Sequence, residues 1–233
     1  MPRLDESRAS LLDALAGHYG PLSPPGGGPP GSGDAAPFEW IASVALGLVA
    51  DPRIASAALA ALREAGLLEP GALAAIDPLE LDDIFRQARV RLTARVLQPL
   101  RKIARWASDQ AFDAESVRLM STETIRESLR GLNGVGPATA DSLLLFALGR
   151  AAYPVDRPTY RVLVRHGWLD PSADYDEARS VAESIAPDDP GALAQLSLGL
   201  EKVGRDACKP AVARCERCPL RHLLPEGGPI EVG

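Results

Sequence analysis

Lysine is nearly missing from this sequence: Lys102, Lys202 and Lys209 are the only three. Chemistry that needs a lysine nucleophile has no other candidates. Cysteine is equally scarce, with three residues, all near the C-terminus, which argues against a disulfide scaffold. Aromatic residues make up 5% of the chain, and Ala and Leu dominate the periodic stretches, a combination that favours helices over strands. No apolar run is long enough to span a membrane, and MPRLDESRAS at the N-terminus has no signal-peptide core. The expectation is a soluble, cytoplasmic protein. What is present is ordinary for a globular chain: 46% apolar and 24% charged residues over a length of 233, enough for one large domain or two small ones.

A formal net charge of −6 argues mildly against nucleic acid, because affinity for DNA is largely phosphate neutralisation. Local clustering matters more. The segment RQARVRLTARVLQPLRKIAR holds Arg86, Arg89, Arg91, Arg95, Arg101, Lys102 and Arg105 and no acid. It fits a DNA-facing patch and equally a solvated helix face paired with acids from elsewhere. Helical periodicity runs over Leu4–Tyr19, Phe38–Val49, Arg53–Ala65, Pro78–Ala88, Leu92–Ser108, Thr122–Leu132, Pro137–Leu148, Thr159–Gly167, Tyr175–Ile185 and Gly191–Val203. Pro, Gly and Asp punctuate these stretches, and nothing alternates as a strand does. The Pro/Gly-rich run Pro21–Pro37 reads as a flexible loop.

The most informative stretch is STETIRESLRGLNGVGPATADSLLLFALG, Ser121–Gly149. One helix precedes Gly134-Val135-Gly136, and Pro137 opens the next, a position where the missing N–H costs nothing. Two glycines permit a sharp turn and close approach of a ligand. The free amides form an anion site, and Val135 points inward to pin the helices. The string LNGVGPATADSLLLFALG resembles the helix-hairpin-helix element of the endonuclease III superfamily of DNA glycosylases. The resemblance implies that Gly134, Val135, Gly136 and Ala138 meet a DNA backbone phosphate, often with a monovalent cation. The same element also occurs in non-catalytic DNA-binding proteins.

Downstream, VDRPTYRV resembles the family's VDxxxxRV segment and so places the catalytic carboxylate on Asp156. Cleaving an N-glycosidic bond builds positive charge on the sugar, and a carboxylate can stabilise it and orient the attacking water. Asp156 is also well placed to cap the helix that Pro158 and Thr159 begin; both duties are compatible. Bifunctional members carry a lysine in GVGxKTA, which forms a Schiff base. Here the string is GVGPATA and the position is Ala138. A monofunctional glycosylase follows, unless one of the three lysines folds into the pocket. Two further positions depart from the family: Val49 replaces the polar residue that fills the gap left by the extruded base, and Arg89 falls where the wedging side chain sits. Tyr160, His166 and Trp168 follow the aspartate as pocket or core residues.

Cys208, Cys215 and Cys218 are spaced C-x6-C-x2-C, which resembles the first three ligands of the family's iron–sulfur loop. The fourth ligand position is Leu224. Three arrangements stay open: a [4Fe–4S] cluster with a non-cysteine ligand such as His222, Asp206 or an acid from another segment; a cluster with one iron solvent-bound or lost; or a zinc site of the three cysteines and His222. In any of them the role is structural, presenting Lys209, Arg214, Arg217 and Arg221 to phosphates.

The resemblance spans roughly Pro37 to Pro225 and implies an all-α, two-lobed fold. Residues 1–20 would join a cluster lobe of 151–233, 21–37 would be the loop, and 38–150 would carry the hairpin. The implied partner is double-stranded DNA with a damaged base, handled by a monomer without membrane attachment. The implied function is a base-excision glycosylase, against a non-catalytic damaged-DNA binder on the same fold, a reading prompted by Ala138, Val49 and Leu224.

Overall fold

In a computed structural model, residues 7–25, 37–110, 113–186 and 188–231 are described. Helices dominate, and among these residues the only β-pairing is an isolated bridge between Cys208 and Ala213. The chain divides into two compact units, Ser23–Arg150 and Met1–Leu22 with Ala151–Gly233.

The first unit holds α2 (Pro37–Gly47), α3 (Pro52–Glu64), α4 (Pro70–Ala75), α5 (Pro78–Gln87), α6 (Ala94–Asp109), α7 (Ala114–Leu119), α8 (Thr122–Arg130) and α9 (Pro137–Ser142). The last continues into a π-helical turn, Leu143–Ala147, whose five side chains are all buried. The punctuation that separates the helices in the sequence becomes their caps. Asp51 and Asp77 each precede a proline at the first helical position and accept from the amides of Arg53 (2.9 Å) and Leu79 (2.8 Å). α2 lies centrally, against α3, α6 and the π turn, with Phe38, Ile41 and Leu46 fully enclosed. Its one charged residue, Glu39, pairs with Arg63 of α3.

The second unit holds α1 (Arg8–Tyr19), α10 (Arg157–Arg165), α11 (Tyr175–Glu183), α12 (Pro190–Asp206) and short 3-10 turns at Cys215–Arg217 and Arg221–Leu223. α12 is its axis, packed by both α1 and α10. Two glycines permit this. Leu15 fills the space beside Gly199, and a Cβ at Gly204 would stand 2.5 Å from Pro158 Cβ, so the start of α10 lies directly on α12.

Most periodic stretches form helices within two or three residues of their expected ends. The N-terminal helix begins at Arg8, and the expected start at Leu4 lies outside the described residues, as does most of the Pro/Gly loop. α4 and α7 carry too few residues for a readable period and were not expected, although Asp113 and Ser116 form a capping box that marks the start of α7.

Candidate nucleic-acid interface and active site

The hairpin turn links α8 to α9 through residues 131–136. Gly134 is left-handed, at φ +96°, and a Cβ there would press on the Pro99 ring of α6 at 3.1 Å; glycine answers both demands. Val135 is buried, and its amide donates to Leu132 O at 2.9 Å. The amides of Gly134, Gly136 and Ala138 have no acceptor among the described residues, and both glycines are exposed. Behind the turn, Arg126 of α8 donates through Nε to Asp141 Oδ1 of α9 at 2.7 Å, with both side chains almost wholly enclosed, and it also pairs with Glu123. This ion pair clamps the two hairpin helices.

Beside the turn lies a pocket whose lining includes Leu48, Val49, Val96, Pro99, Gly134 and Thr139. Val49 is 57% exposed, so the structure brings it and the hairpin glycine to one concavity. Arg89 does not line that pocket. It is exposed on the α5–α6 connection, in the left-handed region at φ +57°, an uncommon conformation for a side-chain-bearing residue. The basic segment is partly spent on structure: Arg86 pairs with Asp82 and Asp83, and Arg101 donates to Ile76 O at 2.7 Å beyond α4. Lys102 turns to the hairpin, its Nζ donating to Asn133 O at 3.0 Å. Sequence distance concealed this, since 31 residues separate the two.

Asp156 caps α10, with Oδ1 accepting from Thr159 N at 2.7 Å and Oδ2 unpartnered among the described residues. The side chain is half-buried. Beneath it, Tyr153 and Thr159 are fully enclosed, and burial pushes the Tyr153 phenol up, so that it stays neutral. Glu201 of α12 is a second carboxylate in the neighbourhood, one the sequence did not single out. Burial raises it above the usual range, Arg205 opposes the shift, and the Asp156 charge adds to it. His166 and Trp168 are buried and stacked at 4.6 Å. Tyr160 donates its hydroxyl to the carbonyls of Pro171 and Ala173, each at 2.9 Å.

Cys208, Cys215 and Cys218 line one pocket, together with Leu224, Arg165 and His166. Burial, and then the nearby Cys208 and Cys215 thiols, push the Cys218 thiol up to about 11. Among the described residues no group of three His, Cys, Asp or Glu side chains is set to hold a metal ion. His222 and Asp206 are not in the lining; His222 Nε2 instead meets Ser10 Oγ at 2.8 Å. Leu224, at the family's fourth ligand position, brings no donor atom to this pocket. α10 grips this loop. Arg161 donates to Cys208 O (2.6 Å) and Gly204 O (2.9 Å), and Arg165 to Lys209 O (2.6 Å) and Pro210 O (2.9 Å). Lys209, Arg214, Arg217 and Arg221 are exposed.

A helical protein of two units, with a glycine hairpin on one and a capping aspartate and cysteine loop on the other, has the helix-hairpin-helix glycosylase fold. Solved structures agree. The chain aligns with a non-covalent endonuclease III–DNA complex at a TM-score of 0.68 and 23% identity, covering 97% of both chains. A thermostable thymine-DNA glycosylase gives 0.64 and 17% over 94% of both. In sequence, the chain is 28% identical over 165 residues to a protein of Methanocaldococcus jannaschii named as a DNA repair glycosylase, covering 70% of this chain and 73% of that one. It is 31% identical over 102 residues to the thymine/uracil-DNA glycosylase of Pyrobaculum aerophilum, spanning 44% of that protein. No sequence-family profile matches. The sequence relatives and structural neighbours are members of the endonuclease III, helix-hairpin-helix DNA glycosylase superfamily, as the hairpin and aspartate segments led us to expect. No described helix is long and apolar enough to cross a membrane.

Proposed function

We propose that this chain is a DNA N-glycosylase of base-excision repair, hydrolysing the bond between a damaged base and its sugar in duplex DNA. The observation that carries the reading is Asp156: a half-buried carboxylate with one oxygen fixed by a helix amide and the other uncommitted. The fixed oxygen holds the group in place. The free one faces the positive charge that develops on the sugar as the base departs, or orients the incoming water. The hairpin amides hold a backbone phosphate, so that register on the DNA is set apart from the chemistry. The target base is extruded first, at a cost of a few kcal/mol that is smallest for damaged pairs. Arg89 enters the stack as the wedge, and Val49 stands by the vacated space.

The residue that aligns with the lyase lysine is Ala138, so base release proceeds by water and leaves an intact abasic strand. The units divide the labour, residues 38–150 gripping the duplex and 151–233 with the N-terminal helix supplying Asp156 and the cysteine loop. Cys208, Cys215 and Cys218 would hold a [4Fe–4S] cluster with a fourth ligand other than cysteine; the likeness of their spacing to the family's iron–sulfur loop favours a cluster over a single zinc ion. When bound it ties down the loop and takes no part in hydrolysis. The protein acts as a monomer in the cytoplasm. Incubation with duplexes bearing different lesions, followed by mass spectrometry of released bases, tests the activity. A free base from at least one lesion is expected. Ala138, Val49 and Leu224 favour a second reading, a non-catalytic binder, which tight binding with no base released from any lesion would establish.

A further inference from the structure

We propose that Lys102 supplies the cation of the phosphate site at the hairpin. This rests on the glycosylase reading and adds a DNA-contacting residue to it.

Residues 131–139, GLNGVGPAT, hold no charged side chain. Amides alone offer hydrogen bonds to a phosphate but no full opposing charge, and a charge-assisted contact is about twice as strong as a neutral one. The missing charge arrives from α6. Lys102 Nζ donates to Asn133 O at 3.0 Å, immediately before Gly134. The placement is held by the fold: Pro99, three residues earlier on the same helix face, packs its ring against Gly134. An ammonium has three donors, and one is spent on Asn133. Its charge is not compensated, because the acceptor is a neutral carbonyl and Lys102 forms no ion pair among the described residues. Two donors and a full charge therefore remain at the entrance of the turn that carries the free Gly136 amide, to meet the several acceptor oxygens and single charge of a phosphodiester.

The same geometry argues against Lys102 as a nucleophile. A reactive amine is activated by desolvation or by a neighbouring cation; Lys102 is only half-buried, and it is absent from the lining of the adjacent pocket. It is a phosphate ligand brought from another helix.

The test is binding of the full chain to an abasic-analogue duplex across a salt series, for the wild type, Lys102→Met, Lys102→Gln and Lys102→Arg, with thermal unfolding in parallel. Removing one phosphate contact lowers the slope of log affinity against log salt by about one. Between about 50 and 200 mM salt, the Met and Gln variants should lose about threefold less affinity than the wild type. The Arg variant should keep the wild-type slope. A wild type that binds with a slope unchanged in both neutral variants overturns the proposal. So does a borohydride-trapped wild-type adduct that disappears in Lys102→Met, since it would make the amine a nucleophile. A wild type that binds no duplex refutes the glycosylase reading itself.

Discussion

Arg89 sits at φ +57°, where a Cβ costs roughly 1–2 kcal/mol relative to the right-handed region. It ends α5, with its amide donating to Arg86 O at 3.0 Å and Val90 N to Phe85 O at 2.8 Å, a helix ending that glycine ordinarily serves. The wedge role proposed for Arg89 would give this exposed, strained arginine a use outside the fold. Arg89→Gly should therefore raise folding stability by about 1 kcal/mol while weakening binding to lesion-bearing duplex. Denaturant unfolding and a binding titration measure the two; a variant that is less stable and binds equally well contradicts this. The sequence marked Arg89 for its charge and place. Its backbone strain is a property of the turn and cannot be read from residue type.

Between elements, the hairpin depends on a buried pair. Arg126 and Asp141 lie at 4% and 0% exposure, and removing one partner of such a pair strands the other charge. Arg126→Met should cost about 3–5 kcal/mol, read as a fall in the unfolding midpoint. A loss below about 1 kcal/mol would show that the pair does not clamp α8 to α9. The helices themselves were legible because Asp-Pro dipeptides announce their starts and apolar spacing their bodies. α6 runs through Pro99, and the proline ring does service against Gly134 instead of breaking the helix. What periodicity could not reveal is which helices touch. Lys102 reaches Asn133, and Glu201 comes into range of Asp156, only once α6 and α12 are packed.

At the scale of the whole molecule, the cysteine loop and the helix that Asp156 caps are one assembly. Arg161 and Arg165 project from α10, whose first turn Asp156 caps, and bind carbonyls of the loop that carries Cys208. The order of hairpin, aspartate segment and cysteines made the fold readable from sequence. The pocket shared by three thiols and Leu224 was not, because His222 has metal-ligand spacing and yet turns to Ser10. Purified anaerobically, the protein should carry iron and sulfide with a broad thiolate–iron absorbance. Leu224→Cys should slow iron loss to a chelator, since it adds a fourth thiol to the pocket that the three cysteines line. One zinc per chain with no iron contradicts the cluster.

The most direct measurement compares wild type with Asp156→Asn and Asp156→Ala on one lesion-bearing duplex, scoring alkali-labile sites under single-turnover conditions. Asn retains the cap on Thr159 N, whereas Ala forfeits it at about 1 kcal/mol. Both should bind the duplex as the wild type does and release base at least about a hundredfold more slowly. If Asp156→Asn forms abasic sites at the wild-type rate, Asp156 is only a helix cap and the chemistry lies elsewhere.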